Sequence, residues 1–390
     1  MFITRILRIA LANRRERKKK EKSHQIELKK FKDTRRIEIF SRVNLTSQQQ
    51  KEIDNLYEQN YGKKIPYVWH RYYTAFTGKF DKYYFPELLF IPEFERFMNL
   101  NTPYAKVFED KNILPYVAQS ASVKMPRIKF SRTAGIIRNS ENEVISESEL
   151  ISKLFDLGEA FVKPTIDSCS GQGCQVVNVK NGIDVISRES IESILKNKGD
   201  DWVVQERIVC HESIRKIYAN SVNTFRVMTY RWKNEILCTP SIMRIGQGGA
   251  NVDNAHAGGM FIAIDKDGTL HKEAFTEFRN VFTEHPNTHV VYENYKIDLF
   301  PKVLDAAIKC HSLIPQLGSI NWDFTVDQDE NPVLIEANII GGSVWLFEIA
   351  HGCGIFGEKT PEILQWLRLM NSTKPKDRKK FKFGVSSKIC

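Results

Sequence analysis

Two strand-like segments near residue 330 carry the side chains best suited to chemistry. The first reads Asn321-Trp322-Asp323-Phe324-Thr325-Val326 and the second Val333-Leu334-Ile335-Glu336-Ala337-Asn338, with a polar turn over residues 327–332 between them. A hairpin symmetric about Asp329 and Glu330 sets Asp323 directly opposite Glu336. Asn338, two residues on, shares the face of Glu336. Phe324, Val326, Val333 and Ile335 are the expected core anchors. Two carboxylates and a carboxamide oxygen at one end of a ribbon make the partial oxygen cage that Mg2+ accepts, with water and phosphate oxygens completing its shell. The bland reading is a surface hairpin with acidic residues, so the pattern gains meaning only from partners elsewhere.

Such partners lie upstream. Phe161-Val162-Lys163-Pro164 leads into Ser168-Cys169-Ser170-Gly171-Gln172-Gly173. A strand lysine facing a loop of small residues lets backbone N–H groups close over phosphates while the ammonium meets their charge. No Gly-Lys-Ser/Thr follows, so this is not a Walker A loop. The next strand ends in Val203-Val204-Gln205-Glu206-Arg207-Ile208, whose alternating main-chain groups could read an adenine edge, and Glu212 follows a short bend where a carboxylate could hold ribose hydroxyls. Singly, Glu206 and Glu212 read as solvated charges.

These residues need elements to position them. Thr46 starts a helix, and the aromatics Tyr67, Trp69, Tyr72, Tyr73 and Phe76 read as packing in a helical region that extends to about residue 103. Beyond it, β-branched runs alternate with turns. Strands are expected at 159–163, 175–179 and 202–208, with an Asn181-Gly182 hairpin turn and a helix over 190–198. A further hairpin is expected from 225–232 and 236–243, and Phe261–Ile264 pairs across Asp265–Gly268. Leu299, Val303, Ala306, Ala307, Cys310 and Ile314 share one helical face. The pattern is α+β with mostly antiparallel hairpins, unlike a strict βαβ alternation.

Composition narrows the class. The 390 residues, 42% of them hydrophobic, suit a globular protein, and no apolar run is long enough for a membrane span. Absence of a signal-peptide pattern leads to the expectation of a cytoplasmic protein. Seven cysteines, with no C-x-x-C pair, read as reduced thiols; Cys169 and Cys174 only bracket the Gly-rich loop. His285 and His289 have metal-pair spacing, yet Pro286 and Asn287 between them indicate a solvated loop. Residues 1–40 hold 14 Lys/Arg against 5 Asp/Glu and residues 371–390 hold 7 against 1, so the body over 41–370 is net acidic despite an overall charge of +10. That distribution argues against nucleic acid as a partner. Phe2, Ile3, Ile6, Leu7, Ile9 and Leu11 among Arg5, Arg8, Arg14 and Arg15 suit either a helix lying on an anionic membrane or a solvated arm.

The order of the signals (lysine strand, Gly-rich loop, Gln-Glu strand end, late Asp…Glu-x-Asn hairpin) resembles that of ATP-grasp enzymes from about residue 100 to 365. Asn223-Thr224-Phe225-Arg226-Val227, the stretch Arg244–Asn254 and His256-Ala257-Gly258-Gly259 resemble the sugar-transfer-associated ATP-grasp family in particular. The resemblance implies an ATP-grasp fold of two α+β subdomains clamping ATP, preceded by the helical region. It divides the chain into a basic arm (1–40), the helical region (41–103), an ATP-grasp domain (104–370) and a basic tail (371–390).

By the same resemblance Lys163 binds the α- and β-phosphates, and Lys111, in Glu109-Asp110-Lys111 at a helix start, is the earlier nucleotide lysine. Ser170, Gly171, Gln172 and Gly173 close over phosphate, the backbone of Gln205, Glu206 and Ile208 holds adenine, and Glu212 the ribose. Asp323, Glu336 and Asn338 carry Mg2+, two ions in all. Arg226 and Arg244 are assigned to the transferring phosphate and the acceptor carboxylate, with Asn254 and His256 near the substrate. The implied reaction makes an acyl phosphate for an amine to attack, in surface-glycan assembly by the family's name. Two alternatives stand beside it: a kinase acting on a sugar hydroxyl, with Asp253 or His256 as base, and a non-catalytic nucleotide-binding scaffold.

Overall fold

The computed structural model describes residues 2–100, 104–165, 173–250 and 253–385. Six strands, β1 (Ile128–Thr133), β2 (Ile136–Asn139), β3 (Gly158–Pro164), β4 (Gln175–Lys180), β5 (Ile183–Asp184) and β6 (Trp202–Glu206), form one antiparallel sheet in the order β2-β1-β6-β3-β4-β5. The expected helix is there at Ile191–Lys196, capped by the Ser190 side chain. It packs with the helix Glu147–Leu154 on Ala160, Val162, Val177 and Val204 to make a small core.

The second sheet comprises β7 (Thr224–Trp232), β8 (Glu235–Cys238), β9 (Ser241–Ile245), β10 (Met260–Ile264), β11 (Leu270–Phe275), β12 (Val281–Phe282), β13 (Ser319–Val326) and β14 (Pro332–Asn338). Its order is β12-β11-β10-β9-β7-β13-β14, with β8 beside β7. The hairpin expected from 225–232 and 236–243 is divided: β7 pairs with β8 over residues 229–232 and with β9 over 224–226. Pro240, which has no N–H to donate to a ladder, lies at the break.

Period-two alternation splits the residues of this sheet between two cores. Phe225 and Val227 pack with Phe300, Val303 and Ala307 of the helix Phe300–Ser312 on one face, whereas Met228, Tyr230 and Trp232 join the N-terminal aromatics on the other. The N-terminal region is helical and aromatic-rich as expected. Helices Ser47–Asn60, with its Thr46–Gln49 capping box, and Val68–Thr77 place Tyr57, Trp69, Tyr72 and Tyr73 in the same core as the C-terminal helices Trp345–His351 and Thr360–Ser372. A core shared between chain ends makes this region a brace for the large sheet.

The arm folds as the helix Phe2–Lys30 and docks through its second half: Lys20 and His24 reach the buried Glu93 at 2.8 and 3.2 Å, and Glu16 pairs with Arg96 at 3.3 Å and with Arg378. The C-terminal tail packs too, with Trp366 Nε1 donating to the Phe381 carbonyl. His285 departs from the solvated loop expected of it. It is fully buried, its Nε2 donating to the Gly246 carbonyl at 2.9 Å while Nδ1 accepts from Asn287 N, so it organises its loop from within.

Candidate functional site

The two sheets face one another across a cavity of about 530 Å³. Phe161 and Lys163 (β3), Cys174, Val176 (β4), Gln205 and Glu206 (β6) line it from the small sheet, and Arg226, Arg244, Asp323, Glu336 and Asn338 from the large one.

Asp323 does stand opposite Glu336, but by a different route from the symmetric hairpin expected. The turn pairs Val326 with Pro332 and Phe324 with Leu334, one residue off symmetry, and a bulge at Ile335 restores the register. The bulge places Ile335 and Glu336 together on the cavity wall. Ile335 is therefore half-buried rather than the core anchor expected, while Phe324, Val326 and Val333 are buried.

Arg226 sits on β7 directly across from Asp323 on β13. Its Nε and Nη2 span both carboxylate oxygens, Nη2 at 2.8 Å, and Arg244 Nη2 adds a contact at 3.2 Å. Burial pushes the Asp323 carboxyl up, but Arg226 and then Arg244 outweigh it, so the group is held below the usual carboxylate range and stays ionised. Asn338 Nδ2 donates to Asp323 Oδ2 at 3.3 Å, which leaves the Asn338 oxygen as the carboxamide's acceptor. Two carboxylates and an amide oxygen are the hard donors Mg2+ takes, so the residues fit the ion. The same geometry gives an incoming cation a competitor, the Arg226 fork.

Arg244 is held more tightly. Its Nε and Nη2 donate to Thr224 Oγ1 at 3.0 and 2.7 Å, and Nη1 to Asn254 Oδ1 at 3.1 Å. Asp253 accepts from Thr224 N and Oγ1 at 2.9 and 2.5 Å, and burial pushes its carboxyl up despite Arg244. Arg226 Nη1 makes no protein hydrogen bond among the described residues.

On the opposite wall Lys163 is 5% exposed, and burial, reinforced by the Lys111 charge, lowers its ammonium to about 8. Lys111 lies in the turn after the helix Tyr104–Glu109 rather than at a helix start. Its backbone N donates to the Thr165 carbonyl at 3.1 Å, and its Nζ is 3.4 Å from Glu336 Oε1. The two lysines thus approach the metal-type end of the hairpin.

Gln205 is 1% exposed, and its Nε2 lacks a partner among the described residues. Glu206, Arg207 and Ile208 continue the lining. Gly173 has φ 73, a conformation that suits glycine, and sits against Pro164. Ser170, Gly171 and Gln172 lie outside the described residues. Glu212 is not brought to the cavity: it is exposed in the first turn of the helix Glu212–Arg215 and pairs with Lys216 at 3.0 Å. Asn254 and His256 do line it, with His256 Nδ1 2.7 Å from Glu277 Oε2; that hydrogen bond raises the imidazole despite burial.

Sequence reasoning missed the supports of the loop after β14. Four successive backbone N–H groups end on two carboxylates: Ile339 and Ile340 donate to Glu109 Oε1 at 2.8 and 3.0 Å, Gly341 and Gly342 to Glu95 at 2.8 and 2.6 Å. Asn99 Nδ2 reaches the Ile339 carbonyl at 2.9 Å. Burial pushes the Glu95 carboxyl up to about 8 against the pull of its two amides. Charged Glu95 at an apolar position of Phe94-Glu95-Arg96-Phe97 is the one local signal available.

No curated protein matches this sequence. Among solved structures the chain is similar to the D-Ala:D-Ser ligase of Enterococcus faecalis (13% identity, 67% of this chain and 61% of that one, TM-score 0.40). It is also similar to the L-amino acid ligase of Bacillus licheniformis (14%, 69% and 50%, TM-score 0.38) and to a carboxyaminoimidazole ribonucleotide synthase of Aspergillus clavatus solved with ATP (12%, 60% and 46%, TM-score 0.36). The chain spans about half the length of the latter two structures. Residues 90–362 match the family described as sugar-transfer associated ATP-grasp, which covers well over half of the chain and all the cavity-lining residues named above. The chain is therefore a member of the sugar-transfer associated ATP-grasp family.

Proposed function

We propose that this protein is an ATP- and Mg2+-dependent ligase that activates a carboxylate as an acyl phosphate for attack by an amine. The observation that carries the reading is a single cavity with two lysines, Lys163 and Lys111, on one side and Asp323, Glu336 and Asn338 on the other. Its volume is within the range of about 300–1,000 Å³ usual for small-molecule sites.

In this reading Lys163 and Lys111 meet the phosphate charges, and the Gln205 carboxamide, whose Nε2 has no partner among the described residues, with the backbone to Ile208 holds adenine. Glu336, the Asn338 oxygen and Asp323 hold two Mg2+ ions, which when bound offset phosphate charge during transfer. Arg226 directs its Nη1 to the transferring phosphoryl group, and Arg244, fixed by Thr224 and Asn254, faces the acceptor carboxylate. Electrostatic stabilisation by such preset donors is the largest contribution expected of the protein. We take the acceptor to be a sugar acid or amino acid in surface-glycan assembly, a reading whose support is a family described as sugar-transfer associated. No described helix is long and apolar enough to cross a membrane; the basic N-terminal arm supports a peripheral contact with an anionic one.

The kinase reading has one observation in its favour. His256 lines the cavity with its Nδ1 on Glu277 and would serve as the base toward a hydroxyl, whereas Asp253 is committed to Thr224 and Arg244. Hydroxylamine separates the two: carboxylate-dependent hydroxamate with ADP indicates a ligase, and a stable phosphosugar without hydroxamate indicates a kinase.

A further inference from the structure

A second cluster of ligating side chains lies outside the cavity. Asp265 in the β10–β11 turn, His271 on β11 and His351 at the end of the helix Trp345–His351 each offer one ligand atom, all within 4.8 Å of one another. None of the three lines the cavity.

The geometry suits a tetrahedral ion. His271 Nε2 and Asp265 Oδ1 are hydrogen-bonded at 3.0 Å; an ion would replace the proton between them, and the separation is close to the ~3.3 Å edge of a tetrahedron built on bonds of about 2.0–2.1 Å. The His271 and His351 rings lie 5.0 Å apart, near perpendicular at 72°. An independent feature orients the deepest ligand. His351 Nε2 lies 2.6 Å from the Ser241 carbonyl on β9, and since a carbonyl only accepts, Nε2 carries the proton and Nδ1 the lone pair. A backbone carbonyl that fixes the tautomer of a histidine is the usual outer support of a metal-bound imidazole.

We propose that Asp265, His271 and His351 bind one divalent transition-metal ion of the zinc class, with water at the fourth position. Two imidazoles and a carboxylate match zinc better than Mg2+ or Ca2+, which prefer oxygen alone. The ion would tie β11 to the helix Trp345–His351, whose start, with Trp345 and Leu346, lines the cavity.

The test uses the full-length chain stripped with EDTA and kept in excess MgATP, so that the cavity is filled. Titration with Zn2+ against a chromophoric chelator should show one competing ion per chain and a rise in the unfolding temperature; Co2+ in its place should give the visible absorption of a tetrahedral site. Asp265→Asn and His271→Gln, at partly exposed positions, should each weaken Zn2+ by about tenfold or more and bleach the Co2+ band, while MgATP protection against heat is retained. Wild-type Zn2+ affinity in both variants, or no competing ion in the wild type, would overturn the proposal.

Discussion

Arg226 and Asp323 occupy paired positions on β7 and β13, and the guanidinium spans both carboxylate oxygens. Asp323 is buried, Arg226 is partly so, and both lie on the cavity wall, so the carboxylate assigned to the metal is also the anchor of the arginine assigned to the phosphoryl group. A cation held by one Asp323 oxygen would loosen the fork and free guanidinium N–H groups for phosphate, which would couple the two assigned roles. Arg226→Ala should lower the rate of ADP formation by about 10²–10³-fold. It should also destabilise the fold on the order of 3 kcal/mol, because the buried Asp323 loses its main partner. Arg226→Lys keeps the charge but not the fork and should restore stability more than rate. Urea titration and ADP release read the two effects separately.

Lys163 gives a pH signature. Its ammonium is lowered to about 8 by burial and Lys111, so the free protein loses this charge as pH rises through that value. If the charged form binds ATP, the KM for ATP is flat below pH 8 and rises above it by at most about tenfold per pH unit. Lys163→Met should raise KM at neutral pH and flatten the profile. The profile of KM against pH between 7 and 9.5 checks both.

The carboxylates behind the loop after β14 are predicted to be positioning groups. Glu95→Ala strands the buried Gly342 amide at about 1–3 kcal/mol and releases that of the exposed Gly341, and should raise the KM for ATP and for Mg2+, whereas Glu95→Gln keeps an acceptor and should be milder. A Cβ on Gly342 would collide with the Asn321 carboxamide and approach Glu95 Oε2, so Gly342→Ala should act like Glu95→Ala. The Glu95 carboxyl is raised to about 8 from an unfolded value near 4.3, so its stability contribution is complete below about pH 4 and declines as pH rises to 8. Thermal unfolding across that window should slope less in Glu95→Gln.

The sequence at the start of the first helix suits an anionic membrane. Leu11 is exposed, and apolar and arginine residues alternate over 2–15. Removal of residues 1–13 should abolish co-sedimentation with vesicles rich in anionic lipid while ADP formation is retained. Equal sedimentation of the truncated chain would remove the membrane reading.

What the sequence disclosed depended on distance along the chain. The Asp323–Glu336 pairing was legible because thirteen residues and two β periods constrain it, yet it was reached through a symmetric turn the protein does not have; the bulge at Ile335 supplied the missing residue. Lys163 and the hairpin are informative by type, strand and order. Arg226 was expected on a strand and lies on β7, but its partner Asp323 was not foreseen, since a β7–β13 register spanning about a hundred residues has no local signature. Glu95, Asn99 and Glu109 act more than 200 residues from their own positions, on loop amides that any acceptor could serve, and so left almost no trace. Glu212 failed for the opposite reason: a carboxylate after a strand end is common, and here it faces Lys216 and solvent.

The central claim, carboxylate activation by ATP, is tested most directly by hydroxylamine trapping. The purified chain is incubated with MgATP, hydroxylamine and a panel of sugar acids and amino acids, and hydroxamate is measured together with ADP, with Asp323→Asn as the control. The account predicts equal amounts of hydroxamate and ADP with at least one carboxylate, both lost in Asp323→Asn. ADP formed on a sugar without hydroxamate, or hydroxamate undiminished in Asp323→Asn, would contradict it.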